Sequence, residues 1–134
     1  MVTGASSGIG AATAGALAAE GAIVALVARR LDRLEELARE IGESGGTALP
    51  IEADVTDLSA AESVVARTVS EYGALDILVN NAGVMLLGPI LDAPVEEWQR
   101  MVESTCSACS TAPRPPSRTF SRRHRTTRAV LPTS

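Results

Sequence analysis

Lysine is missing altogether from these 134 residues, and arginine supplies every one of the 12 strongly basic side chains. That points to a GC-rich coding sequence in which arginine codons displace lysine codons. It also removes any chemistry that needs a lysine amine. Aromatic residues are almost as scarce, at 2%, so the core has to be aliphatic and alanine-rich. No run approaches the roughly 18 continuous apolar residues of a membrane span. No basic stretch followed by an apolar run and a cleavage site suggests a signal peptide. The default expectation is therefore a cytoplasmic protein. The two cysteines, Cys106 and Cys109, have the spacing of half a zinc site or a redox pair. His124 is the lone histidine, too little to complete a tetrahedral site, and no metal is expected.

What is present is enough for about one domain, with an apolar content of 46%. The net charge of −4 hides a split. Residues 1–103 carry 16 acids and six arginines, a balance of −10, whereas residues 104–134 carry six arginines and no acid, a balance of +6. The basic end lacks periodic spacing and the body is acidic, so nucleic acid is not expected as a partner.

The chain is organised around Thr3-Gly4-Ala5-Ser6-Ser7-Gly8-Ile9-Gly10. A glycine-rich turn that opens a helix aims free N–H groups and the positive end of the helix dipole at one spot, which suits a phosphate. Alone, such a turn is weak evidence, and a flexible loop reads equally well. The context decides. Ile9 to Glu20 is alanine-rich and reads as a helix that Gly21 stops. Ala22 to Ala28 is continuously apolar, as in a strand buried on both faces. Leu31, Leu34, Leu37, Ala38 and Ile41 share one face of an amphipathic helix. Thr47 to Ala53 is a third strand, and Pro50 suggests an edge or a strand start. Ser59-x-x-Glu62 fits a capping box, opening a helix with Val64, Val65, Val69 and Tyr72 on one face, ended by Gly73. Leu75 to Val79 is a fourth strand, with Asn80-Asn81-Ala82-Gly83 at its end. Pro94 to Glu103 starts another helix, with Trp98 and Met101 or Val102 on its apolar face.

Strands alternating with helices imply right-handed crossovers and an α/β, doubly wound parallel sheet with helices on both faces. Ligands then bind beyond the carboxyl ends of the strands, where the glycine turn, Arg29-Arg30, Asp54-Val55 and Asn80 to Gly83 all fall. These motifs, Thr3-Gly4-x-x-x-Gly8-Ile9-Gly10, Asp54-Val55 and Asn80-Asn81-Ala82-Gly83, resemble the classical short-chain dehydrogenase/reductase family over residues 1–103. The resemblance implies an incomplete Rossmann-type fold, a nicotinamide dinucleotide cofactor, and hydride transfer between a carbonyl and an alcohol. It also implies roles. Thr3, Gly4, Ser6, Ser7, Gly8, Ile9 and Gly10 would cradle the pyrophosphate, and Asp54 and Val55 would flank the adenine. Asn81, Ala82 and Gly83 would lie near the nicotinamide ribose. Members that prefer NAD place an acid at the end of the second strand. Here Arg29 and Arg30 stand there, and a guanidinium pairs with a 2′-phosphate, so NADP is expected over NAD. The bland alternative is that one arginine caps the strand or pairs with Glu35 or Glu36. Members of the family are usually homo-oligomers.

After Glu103 the pattern is lost. The family expects an Asn, then a catalytic Ser and Tyr-x-x-x-Lys. This chain has no lysine, its single tyrosine is Tyr72, and Thr105 stands at the place of the Asn. No catalytic residue is therefore assigned, and the chain is expected to be inactive. Residues 104–134 read as a disordered basic tail. They also permit a sharper reading. Ser104 to Pro113 can be encoded so that one G before the Ser104 codon shifts the frame to Val-Asn-Val-Leu-Gly-Leu-Leu-Tyr-Cys-Thr, a family-like helix with the Asn in place. A nucleotide lost after the Glu103 codon is the expectation. The start reads as clipped too, since only Met1-Val2 precede Thr3. The competing reading is a non-catalytic NAD(P)-binding module or partner-binding fragment. The substrate is not legible.

Overall fold

The computed structural model describes residues 1–84, 86, 94–99 and 101–102. Strand β1 is Val2–Thr3, followed by helix α1, Gly8–Ala19; strand β2, Ile23–Ala28; helix α2, Leu31–Glu43; strand β3, Thr47–Glu52; and helix α3, Leu58–Tyr72. The sheet is parallel in the order β1-β2-β3. Val2 lies opposite Leu26, and Ile23 to Ala28 pair in register with Thr47 to Glu52. Pro50 sits on β3, the strand at the sheet's edge, where its missing N–H is tolerated.

Strand β2 shows why a continuous apolar run was needed. Val24, Leu26 and Ala28 point to one face and join Ala14 and Ala18 of α1 and Leu34 and Ile41 of α2. Ala25 and Val27 point the other way and meet Ile51 of β3 and Val64 of α3. Helices therefore cover both faces, as the pattern required. Leu26 and Leu34 are fully buried, each contributing about 1.5–3 kcal/mol relative to exposure.

The structure corrects two expectations for α3. The cap of α3 is Asp57, not Ser59. Its Oδ1 accepts from the Ser59 N–H at 2.8 Å, the Ser59 hydroxyl at 2.8 Å and the Ala60 N–H at 3.4 Å. The Ser59 hydroxyl and amide, with the Ala60 amide, hold the Asp57 carboxyl below its usual range. An Asx cap two residues earlier outcompeted the Ser-x-x-Glu pattern, because a carboxylate accepts all three bonds at once. The buried stripe of α3 is Ala61, Val64 and Thr68, with Val65, Val69 and Tyr72 only half-buried. Thr68 joins it because its hydroxyl donates to the Val64 carbonyl at 2.8 Å. Gly73 does close the helix, at φ +80°.

The fourth strand is reduced to one bridge, Val2 to Val79. The bonds of a parallel ladder are made where β1 exists: the Met1 amine donates to the Ile77 carbonyl, Val79 N–H to Met1, and Thr3 N–H to Val79. Among the described residues, 75–76 take part in no strand pairing. Residues 95–99 and 101–102 are helical. Trp98 and Val102 are exposed, and Met101 is the half-buried residue, its sulfur accepting from the Leu86 N–H at 3.2 Å. The expectations for residues 104–134, including Cys106, Cys109 and Thr105, lie outside the described residues. Among the described residues no helix is long and apolar enough to cross a membrane.

Candidate functional site

Two turns and two strand ends build a cleft of about 480 Å³ at the carboxyl edge of the sheet. The β1-to-α1 turn needs glycine at Gly4 and Gly8, whose φ values of +66° and +57° favour a residue without Cβ. A Cβ on Gly8 would meet nothing within 4 Å, so the surface beside it is open to a ligand. At Gly10 the demand is steric, because a Cβ there would meet the Gly4 carbonyl oxygen at 2.3 Å. Ser7 caps α1 in extended backbone with no side-chain bond to the helix, so the first N–H groups of α1 remain available. The first turn contains no acid to compete for an anion.

Arg30, at the start of α2, reaches across to this turn. Its Nη2 donates to the Ser7 hydroxyl at 3.0 Å and the Ser6 hydroxyl at 3.1 Å. Neither Glu35 nor Glu36 takes it; Glu36 pairs with Arg33 at 3.1 Å. Arg29 stands 4.0 Å from Asp54, with both side chains largely in water, so that pair contributes little. Asp54 Oδ1 accepts from the Thr56 N–H at 3.0 Å and the Thr56 hydroxyl at 2.7 Å. The Thr56 amide and hydroxyl, helped by Arg29, lower the Asp54 pKa from its ordinary value. Asp54 is therefore an anion that only accepts hydrogen bonds at neutral pH.

The residues expected at the site divide into two groups. Gly4, Ser6, Ser7, Arg29, Arg30, Asp54, Val55, Ala82 and Gly83 line the cleft. Thr3, Gly8, Ile9, Gly10 and Asn81 do not. Ile9 points into water, 79% exposed. Thr3 and Asn81 instead form a clip beneath the cleft. The buried Thr3 hydroxyl accepts from the Asn81 and Ala82 N–H groups, both at 3.0 Å. The Asn81 side-chain amide donates to the Thr3 carbonyl at 3.1 Å and lies 3.5 Å from that of Gly4. The clip ties the end of the fourth segment to the glycine turn, 78 residues away in sequence. Val27, Ala28, Ala53, Thr56 and Val84 also line the cleft and were missed. Their signal was position alone, since each lies within two residues of one already assigned at a strand end.

Tyr72 lies elsewhere. It lines a second cavity at the opposite, amino-terminal end of the strands.

The sequence pattern of short chain dehydrogenases matches residues 1–125. Glycine betaine reductase of Emericella nidulans is 48% identical over 118 residues, covering 84% of this chain and 9% of that protein. The structure of a short-chain type dehydrogenase/reductase from Mycobacterium marinum superimposes with a TM-score of 0.76 at 40% identity, over 83% of this chain and 45% of that one. L-sorbose reductase from Gluconobacter frateurii, complexed with NADPH and L-sorbose, does so at 0.75 and 42% identity, over 83% and 43%. The chain thus spans less than half the length of each of these relatives. Glycine turn, parallel sheet, cleft and sequence pattern agree, and the chain belongs to the short chain dehydrogenase family.

Proposed function

We propose that residues 1–103 are the NADP(H)-binding part of an oxidoreductase that moves hydride between the cofactor and a carbonyl/alcohol pair, and that these 134 residues bind the cofactor without turning over substrate. One observation carries the choice of cofactor. At the end of β2, where an acid would favour NAD, the Arg30 guanidinium spans the Ser6 and Ser7 hydroxyls at the mouth of the glycine turn. A 2′-phosphate would replace hydroxyl partners with a charged one, making stronger, charge-assisted bonds. The cleft suits the rest of a dinucleotide. Gly4, Gly8 and the free N–H groups at the head of α1 suit the pyrophosphate, with Gly10 allowing the close packing beneath. Asp54 and Val55 suit the adenine, and Ala82 and Gly83 the nicotinamide ribose. Thr3 and Asn81 hold that wall in place from below. Ile9 heads α1 beside the pyrophosphate. When bound, the nicotinamide supplies or accepts the hydride.

Absence of turnover rests on two facts. The chain has no lysine, and Tyr72 sits at the far end of the sheet from the cleft. A general acid there cannot reach a substrate at the cleft. We place the protein in the cytoplasm, with homo-oligomers as the family's usual state. Residues 104–134 are proposed to be read out of frame; the family pattern itself continues across that junction to residue 125. Resequencing across the Glu103 codon should show one extra base that opens a frame reaching Ser and Tyr-x-x-x-Lys. An unchanged sequence with nothing family-like in any frame rejects that part.

The cofactor reading is tested by calorimetric titration of the chain with NADPH and NADH. NADPH should bind at least about tenfold more tightly. Arg30→Ala should weaken NADPH about 10- to 100-fold, the loss of one or two charged hydrogen bonds at about 1.5–3 kcal/mol. NADH affinity should move less than about twofold. Equal affinity for the two cofactors in the unaltered chain would reject NADP.

A further inference from the structure

The carboxylate at the end of β3 has two oxygens in different surroundings. Asp54 and Thr56 both line the cleft. Asp54 stands two residues beyond Glu52, the last residue of β3. The Ala53 N–H ties that end to β2, donating to the Ala28 carbonyl at 3.0 Å. The chain then turns, with the Asp57 N–H donating to the Asp54 carbonyl at 3.1 Å. Inside the turn Asp54 Oδ1 takes two bonds from one residue, the Thr56 N–H at 3.0 Å and the Thr56 hydroxyl at 2.7 Å. Oδ2 takes neither and lies 4.0 Å from Arg29. The last torsion of an aspartate is soft, but turning it here breaks two charge-assisted bonds to Oδ1. The Thr56 hydroxyl is not needed to start α3, because Asp57 caps that helix.

From this we infer that Thr56 is a positioning residue. By holding Oδ1 it fixes Oδ2 as a single acceptor in the cleft, and so makes the site select a 6-aminopurine nucleotide over a 6-oxopurine one. The inference rests on the cofactor reading, which sets the base against Asp54. The Thr56 amide and hydroxyl, with Arg29, hold the Asp54 pKa below its ordinary value, so the group is an anion that accepts and cannot donate. An exocyclic amine gives Oδ2 the donor it needs. A 6-carbonyl sets oxygen against oxygen and leaves the anion without that partner. A 6-oxopurine does carry a donor at the neighbouring ring nitrogen, N1–H. The carboxylate would have to pivot to meet it, and the two Thr56 bonds oppose the pivot. Without the hydroxyl one of those bonds is gone, and the carboxylate can turn to serve either base.

The test is calorimetric titration of the full chain, at neutral pH, with NADPH and with its hypoxanthine analogue, reduced nicotinamide hypoxanthine dinucleotide phosphate. The unaltered chain should bind NADPH at least about tenfold more tightly, the low end for a hydrogen bond to a charged group. Thr56→Ser keeps both donors and should keep that ratio. Thr56→Val removes the hydroxyl and should bring the ratio below about threefold. Asp54→Asn reads the same clamp without altering Thr56. Both Thr56 donors hold the amide oxygen, so its NH2 group is left in the cleft as a donor. The preference should then reverse, by at least about threefold, toward the 6-oxo base, and adding Thr56→Val should erase the reversal. A role confined to the turn would weaken both cofactors together and leave the ratio where it was in Thr56→Val, which overturns the inference. Equal affinity for the two bases in the unaltered chain overturns it too, as does Asp54→Asn without a reversal. No binding of NADPH at all overturns the cofactor reading, and the inference with it.

Discussion

Replacing Gly10 with alanine should abolish measurable NADPH binding and destabilise the fold by about 3 kcal/mol, the upper range for overpacking a tight contact. Gly10 has an ordinary helical backbone, so strain in φ plays no part. The obstacle is the Gly4 carbonyl, 2.3 Å from where the new Cβ would stand, with the carbonyl carbon at 2.9 Å. Both are backbone atoms and cannot swing aside as a side chain could. The Asn81 side-chain amide, at 2.5 Å, can rotate away, but only by breaking its bond to the Thr3 carbonyl. The glycine turn must therefore move, and it is the same turn that lines the cleft. Gly15→Ala is the matched control. It lies in the same helix, a Cβ there meets nothing within 4 Å, and the helix should gain about 0.5–1 kcal/mol. Urea denaturation and calorimetric titration of both variants read the contrast. Wild-type NADPH affinity in Gly10→Ala would show that the turn is not the cofactor cradle.

The contrast between these two glycines also marks what a sequence can convey. Local signals were legible: the apolar run that became β2, the amphipathic face of α2, and the glycines that turn the chain into α1. Each depends on residues within about one turn or one strand of each other. The parallel sheet followed from their alternation. What was not legible depends on contacts made across the chain. Asp57 displaced the expected cap because its carboxylate happened to reach two amides and a hydroxyl. The segment 75–79 has a strand's composition but gained a single bridge, since pairing needs a partner strand and β1 offers two residues. Trp98 is exposed, whereas Met101 is half-buried and accepts a hydrogen bond from Leu86, 15 residues away. In the site, nine of the expected residues line the cleft because strand ends place them there. Thr3 and Asn81 were read as cofactor neighbours from their motifs, whereas their side chains bind each other's backbone.

That clip yields the second large effect. Thr3→Val keeps the shape of the side chain and removes its oxygen. Two N–H groups, those of Asn81 and Ala82, then face a methyl group where each had an acceptor at 3.0 Å. Thr3 itself is buried, 4% exposed, so water is poorly placed to substitute on that side. Leaving a buried donor unpaired costs about 1–3 kcal/mol, so the variant should lose about 2–4 kcal/mol in urea denaturation. Thr3→Ser retains the oxygen and gives up one methyl group, a loss of about 1 kcal/mol. The order of stability, wild type, then Ser, then Val, is the signature of the hydroxyl; Val above Ser would mean packing alone matters. The effect should reach the cleft, because Ala82 and Gly83 form its wall and Thr3 anchors the first of them. Combining Thr3→Val with Asn81→Ala separates the two halves of the clip. Thr3 on β1 and Asn81 at the end of the fourth segment bind the same junction, so their losses should fall short of adding by at least about 0.5 kcal/mol. Strict additivity would mean that Thr3 and Asn81 act separately, and that the glycine turn is held by its own backbone rather than by the strand end beside it.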